Sequence, residues 1–72
     1  MTLVEQIKLM HRIADNIGRK KTGTAHEFAS FMGVSRTQLF CYFDVLRAFE
    51  AEIAYCKFRR TYYYVNDAKP RF

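Results

Sequence analysis

The sequence predicts an α+β domain, mainly helical, in which three helices are followed by a C-terminal β-hairpin. Three observations lead to it. Apolar residues recur at intervals of three and four up to about residue 48, the spacing of helical faces. Two boxes, Thr24 with Glu27 and Ser35 with Gln38, mark helix starts inside that stretch. After Glu50 the apolar period shortens to two, and aromatic and β-branched residues collect as they do in strands.

The first helix is expected over residues 2–17. Leu3, Ile7, Met10, Ala14 and Ile17 fall on one face, with Glu5, Lys8, Arg12, Asp15 and Asn16 opposite. Gly18 is the expected stop, because glycine readily takes the left-handed C-terminal conformation. His11 lies at the edge of the apolar face, as a partly buried packing residue. The second helix opens on the Thr24 cap, turns Ala25, Phe28, Ala29 and Met32 inward, and stops at Gly33. The third opens on Ser35, turns Leu39, Phe43 and Leu46 inward, and runs to Ala48 or Phe49. Only Gly33, Val34 and the cap separate the two, so they must cross sharply, with Val34 placed to plug the corner. A short helix, a tight glycine turn and a longer helix form the helix-turn-helix pattern. Beyond it, Ile53 and Tyr55 point one way and Ala54 and Cys56 the other. Residues 62–65 supply the second strand, and residues 58–61 close the hairpin in a turn whose type the missing glycine leaves open. The domain is expected to span residues 1–66, with residues 67–72 as a flexible tail around the only proline.

Composition narrows the function. A chain of 72 residues allows one core and leaves little room for a catalytic cleft beside it. Half the residues are apolar or aromatic, the composition of a folded protein. Twelve Lys and Arg against seven Asp and Glu give a net charge of +5, which attracts polyanions. The cations cluster: Arg19, Lys20 and Lys21 form one run, and Lys57, Arg59 and Arg60 form another. Both runs fall in expected turns, where phosphate contacts are often made; solvated turn residues are the alternative. Cys41 and Cys56 have neither zinc-site spacing nor a redox dipeptide pattern. With no signal peptide visible, the expectation is reduced thiols in a cytoplasmic protein. No apolar stretch approaches the roughly 18 residues of a membrane span. No His, Cys or carboxylate pair has the spacing of a nucleophile with its base, so no enzyme activity, metal, cofactor or small-molecule ligand is expected.

In a helix-turn-helix the second helix lies in the major groove, and its N-terminal residues reach base edges. Here that helix begins at Ser35, and its outward side offers Arg36, Thr37, Gln38 and, one turn on, Cys41. An arginine can donate two hydrogen bonds to guanine, and a glutamine can pair with adenine. Thr37 and Cys41 are small enough for close approach to a thymine methyl. Ser35 and the free N–H groups beside it suit a phosphate. The alternative for Arg36 and Gln38 is an exposed first turn plus a cap. Lys57, Arg59 and Arg60 at the hairpin tip, with Lys20 and Lys21, are the expected phosphate-contacting cations. The Tyr62-Tyr63-Tyr64 run can be read as a stacking platform for single strands. Packing of alternate tyrosines onto the helices, with the middle one half exposed, is the preferred reading.

Three stretches carry a resemblance: Thr22-Gly23-Thr24, Glu27-Phe28-Ala29 and Gly33-Val34-Ser35-Arg36. In this order and spacing they are similar to the start of the winged helix-turn-helix domains of bacterial transcriptional regulators, which typically read Glu-Leu-Ala and then Gly-Val-Ser-Arg. Residues 53–64 resemble the wing of those domains, usually Ile-x-Tyr-Asp-Arg-x-Arg-x-Gly-Tyr-Tyr-Tyr. The resemblance covers most of residues 3–65. It departs at Cys41 and Tyr42, where an Arg and an Asp are frequent, at Cys56 for the wing Asp, and at Thr61 for the wing glycine; the recognition helix also carries Asp44. The resemblance implies a winged helix that binds duplex DNA for transcription regulation in a bacterial cytoplasm, associated with the nucleoid. The ligand-sensing or oligomerising domain of larger regulators has no room here, so a stand-alone repressor or an accessory factor of a mobile element is expected. A homodimer on two half-sites is the form such proteins often take, although no dimer element is evident. The competing expectation is a protein-interaction winged helix that does not bind DNA, with Phe40, Tyr42 and Phe49 as its patch; RNA binding comes third.

Overall fold

Each helix begins where a hydroxyl can cap it. A computed structural model describes residues 2–71, in the order α1 (Leu3–Arg19), α2 (Ala25–Met32), α3 (Arg36–Ala48), β1 (Ile53–Cys56), β2 (Thr61–Tyr64) and a 3-10 turn at Val65–Asp67. The Thr2 hydroxyl accepts the Glu5 N–H at 3.2 Å. At α2 and α3 the boxes are reciprocal: Thr24 and Ser35 accept from the Glu27 and Gln38 N–H groups, and those two side chains accept from the Thr24 and Ser35 N–H groups. Four of the N–H groups left without helical partners are satisfied in this way. Gly33 ends α2 with φ 73°, a left-handed conformation that glycine adopts without strain.

Three helices followed by an antiparallel hairpin is the expected fold class. The core forms where Leu9, Ile13, Ala14 and Ile17 of α1 meet Phe28, Ala29 and Met32 of α2 and Leu39, Phe43 and Leu46 of α3. Ala51 and Tyr64 complete it, and Val34 packs against it from the corner between α2 and α3. The hairpin pairs Ile53 with Tyr64 through to Cys56 with Thr61. Tyr62 and Tyr64, two residues apart on β2, therefore share the face turned to the helices. The Tyr62 ring meets Phe43 edge-on at 4.8 Å and lies 5.0 Å from Tyr55. The Tyr64 hydroxyl donates to the Ala14 carbonyl at 2.7 Å. Burial, and secondarily the Asp15 carboxylate, push that hydroxyl's pKa up to about 12.

The structure corrects five expectations. On α1 the buried stripe is Leu9, Ile13, Ala14 and Ile17, whereas Leu3 and Ile7 are 71% and 45% exposed. The apolar side of α1 is wide enough to hold two stripes, and it is the Leu9, Ile13, Ala14 and Ile17 stripe that is turned to the core; near the start of the helix Gln6 shares an open groove with Gln38, Cys41, Tyr42 and Val45 of α3. His11 is exposed rather than half-buried. The helix does not stop at Gly18: it runs to Arg19, and Lys20 takes the left-handed cap at φ 58°. Gly18 stays helical beneath the Tyr64 ring. In the hairpin, the turn is residues 57–60, one residue earlier than expected, with Arg60 at φ 51° in the conformation a glycine would favour. Lastly, the expected tail is tied back within the described residues. Glu52 N–H donates to the Ala68 carbonyl, Arg71 N–H to the Phe49 carbonyl at 2.7 Å, and the Arg71 side chain pairs with Glu50 at 2.9 Å.

Candidate nucleic-acid interface

α3 divides its two sides cleanly. Leu39, Phe43 and Leu46 are buried at intervals of four and three, which fixes the rotation of the helix about its axis. Arg36, Thr37 and Gln38 are consequently exposed in the first turn, and Cys41 is exposed one turn on. All four residues expected to read bases thus face outward, along with the exposed cap Ser35. Gln38 has a second duty: its Oε1 accepts the Ser35 N–H at 3.2 Å. Asp44, the acidic residue on this helix, pairs with Arg47 at 3.2 Å on the exposed surface.

Beside this turn lies a groove that the sequence did not reveal. His26 and Ser30, one turn apart on α2, line it with Ala29, Val34, Ser35 and Arg36. His26 is therefore a further candidate at the interface. Its only sequence signal is position, four residues before Ser30 on the side of α2 away from Phe28 and Met32.

The hairpin cations divide between two places. Lys20 and Arg59 line one open cavity of about 190 Å³ together with Cys56, Thr61 and Tyr63, on the side of the sheet away from Tyr62. Lys20 of the first basic run and Arg59 of the second thus share one cavity. Arg60 lies instead near the start of α2. The Glu27 carboxyl there is held below its usual pKa, chiefly by the Thr24 backbone N–H, then the Thr24 hydroxyl, with smaller contributions from the Arg60 and His26 charges and against a small opposing effect of burial. Lys21 and Lys57 are exposed in the connection after α1 and in the hairpin turn.

What holds the two basic runs together is a buried threonine pair absent from the sequence-based site. Thr22 and Thr61 are both buried, 39 residues apart in sequence. Thr22 N–H donates to the Thr61 hydroxyl at 3.2 Å, Tyr62 N–H donates to the Thr22 hydroxyl at 2.8 Å, and the two hydroxyls are 3.2 Å apart. Side chains here do what backbone pairing would do for a third strand. The connection carrying Lys20 and Lys21 is thereby fastened along β2. Thr61 stands where the resembling wings have glycine, which was the one available hint.

Among the described residues there is no group of three His, Cys, Asp or Glu that could hold a metal ion, and no helix is long and apolar enough to cross a membrane. Comparison with known proteins adds no identity, since no family model, curated protein or solved structure matches the chain.

Proposed function

We propose that the chain is a winged helix-turn-helix that binds duplex DNA by sequence, with α3 in the major groove and the hairpin as a wing on the phosphate backbone. The observation that carries this reading is the outward first turn of α3, with Arg36, Thr37 and Gln38 exposed on a helix whose other side is locked into the core. The cations Lys20, Lys21, Lys57, Arg59 and Arg60, two of which share one cavity, would supply the phosphate contacts that hold such a turn in register. Control of transcription in a bacterial cytoplasm, on the nucleoid and without catalysis, is the role that suits this surface. A homodimer on paired half-sites is included in the proposal.

The experiment is a binding selection from random duplexes at near-physiological salt, followed by affinity measurements on Arg36→Ala and Arg60→Ala. Arg36→Ala should lose about 1–3 kcal/mol of discrimination at one or two base positions. Arg60→Ala should weaken binding to all duplexes alike and flatten the slope of log affinity against log salt by about 0.9. Equal loss from both variants on every sequence would contradict this division of labour.

A second reading rests on a specific observation. Leu3, Val4 and Ile7 are exposed in the first turns of α1, Phe40 and Val45 are exposed on α3, and Phe49 is exposed at its C-cap. A protein-interaction module that does not bind DNA would use such residues. Failure of the selection to enrich any duplex favours it.

A further inference from the structure

Phe58 stands apart from every other large apolar residue described: its relative exposure is 99%, against 71% for Leu3, the next highest. It occupies the second position of the four-residue hairpin turn, beyond the last paired residues, Cys56 and Thr61. The other three turn residues are Lys57, Arg59 and Arg60, and no acidic residue occurs between Glu52 and Asp67. The turn is anchored at its base. Thr61 there is buried against Thr22, and Arg60 takes a left-handed conformation. The tip is thus an exposed aromatic ring on an anchored hairpin, with a cation before it and two behind.

Folding gains nothing from holding this ring in water, so its apolar surface is free to be buried by a partner. The flanking cations select a polyanion, and a polyanion with an apolar interior reached through a narrow slot is a nucleic acid duplex. Phenylalanine is one of the side chains that wedge between base steps from the minor groove, partly unstacking them and bending the duplex away. We propose that Phe58 is such a wedge: the hairpin tip enters the minor groove, Lys57 and Arg59 neutralise the phosphates on either side, and the ring unstacks one base step. The proposal rests on the duplex-binding reading above and adds to it a deformation and a sequence preference that the wing creates without base hydrogen bonds. Pyrimidine–purine steps unstack most easily, so the wing should favour TA or CA/TG at a fixed distance from the bases read by α3.

The test runs the random-duplex selection in parallel with wild type and Phe58→Ala. It then measures the bend of the wild-type-selected duplex by energy transfer between dyes at its ends. Wild type should enrich a pyrimidine–purine step flanking the core site and bend the duplex by about 20–90°. Phe58→Ala should lose both, while keeping the core site and the salt slope. Phe58→Leu, whose side chain can also wedge, should retain the bend. The affinity lost in Phe58→Ala should be only about three- to tenfold, because unstacking consumes most of what burying the ring supplies. A ring that touches nothing should leave the melting temperature unchanged on truncation.

Identical flanking steps and bends from the two proteins would overturn the wedge while leaving duplex binding intact. No enrichment by either would overturn duplex binding and the wedge with it. Binding to phosphatidylserine vesicles that Phe58→Ala abolishes, with the DNA bend unaltered, would make the tip a lipid anchor and equally refute the proposal.

Discussion

Thr22→Val removes one hydroxyl and nearly nothing else, which makes it the sharpest probe of how the hairpin is held. Valine matches threonine in shape, so the buried site keeps its volume. The change strips the Tyr62 N–H of its acceptor at 2.8 Å and breaks the contact between the two hydroxyls. A buried donor left without a partner costs about 1–3 kcal/mol, and a lost neutral hydrogen bond about 0.5–1.5 kcal/mol. The added methyl returns roughly 0.8 kcal/mol of burial. The net expectation is a destabilisation of about 2 kcal/mol. A domain of this length has roughly 4–11 kcal/mol to lose, so the fraction is large. At about 4–8 °C per kcal/mol, the melting temperature should fall by roughly 8–16 °C.

The assay is urea and thermal unfolding followed by far-ultraviolet circular dichroism, on Thr22→Val, Thr61→Val and the double variant. Thr61→Val should cost a similar amount, because it leaves the Thr22 N–H without its acceptor. The double variant should cost less than the sum by about 1 kcal/mol, since the contact between hydroxyls can be lost only once. Strict additivity, or a Thr22→Val protein within about 0.5 kcal/mol of wild type, would refute the view that this pair fastens the connection after α1 to β2. A functional consequence follows for the proposed wing. Thr22→Val carries no charge change, yet it should flatten the salt dependence of duplex binding, because the Lys20 and Arg59 side chains are no longer held to one surface.

Two further predictions concern the same junction. Tyr64→Phe removes the hydrogen bond to the Ala14 carbonyl and should cost about 0.5–1.5 kcal/mol in chemical unfolding. Folding favours the neutral phenol, whose pKa rises from about 10 when unfolded to about 12. Its stabilisation is therefore complete below pH 10 and is lost as pH climbs through 10–12; wild type should weaken more steeply over that window than Tyr64→Phe, and parallel curves would exclude the phenol as the cause. Lys20→Gly places glycine at the left-handed cap of α1 and should raise stability by up to about 1 kcal/mol despite removing a surface charge. The same variant should weaken duplex binding with a shallower salt slope, so stability and affinity ought to move in opposite directions.

The parts of this fold that the sequence reveals are those encoded by neighbours in the chain. The boxes at Thr24 and Ser35 are local: four residues determine where α2 and α3 begin, and both begin there. The buried side of α3 is equally legible, because the Ser35–Gln38 box sets where the helix starts and Leu39, Phe43 and Leu46 follow at intervals of four and three, even though Phe40, Tyr42 and Val45 are apolar too. α1 was harder. Leu3, Ile7, Met10, Ala14 and Ile17 make as regular a stripe as Leu9, Ile13 and Ile17, and periodicity alone does not say how far α3 and β2 extend along the helix. The hydroxyl pair of Thr22 and Thr61 was invisible for a different reason. Its members are 39 residues apart and meet only once the hairpin has folded back on α1. Gly18 misled because its proximity to the end of α1 mattered less than the twin hydrogen bonds from the Lys20 N–H to the Asn16 and Ile17 carbonyls.

Gln38 shows how capping would constrain the proposed base reading at the start of α3. The carboxamide oxygen has two lone pairs, and one is occupied by the Ser35 N–H. Paired reading of adenine needs that oxygen to accept from N6 while the amide nitrogen donates to N7. Held by the cap, the oxygen is turned back toward Ser35, so adopting the paired geometry breaks the box and returns about 1 kcal/mol of helix-start stability to the cost side. The Nε2 group carries no such tie and can donate outward to a lone acceptor, such as guanine O6 or thymine O4. In the proposed complex, discrimination by two bonds therefore falls to Arg36, whose guanidinium is not tied into the cap. Gln38→Glu makes the distinction measurable. It keeps the box, because the carboxylate accepts the Ser35 N–H equally well, but it replaces the outward donor with an acceptor. In duplex selection the preferred base under this position should shift toward cytosine, whose N4 donates. An unchanged preference would mean that Gln38 serves the helix alone.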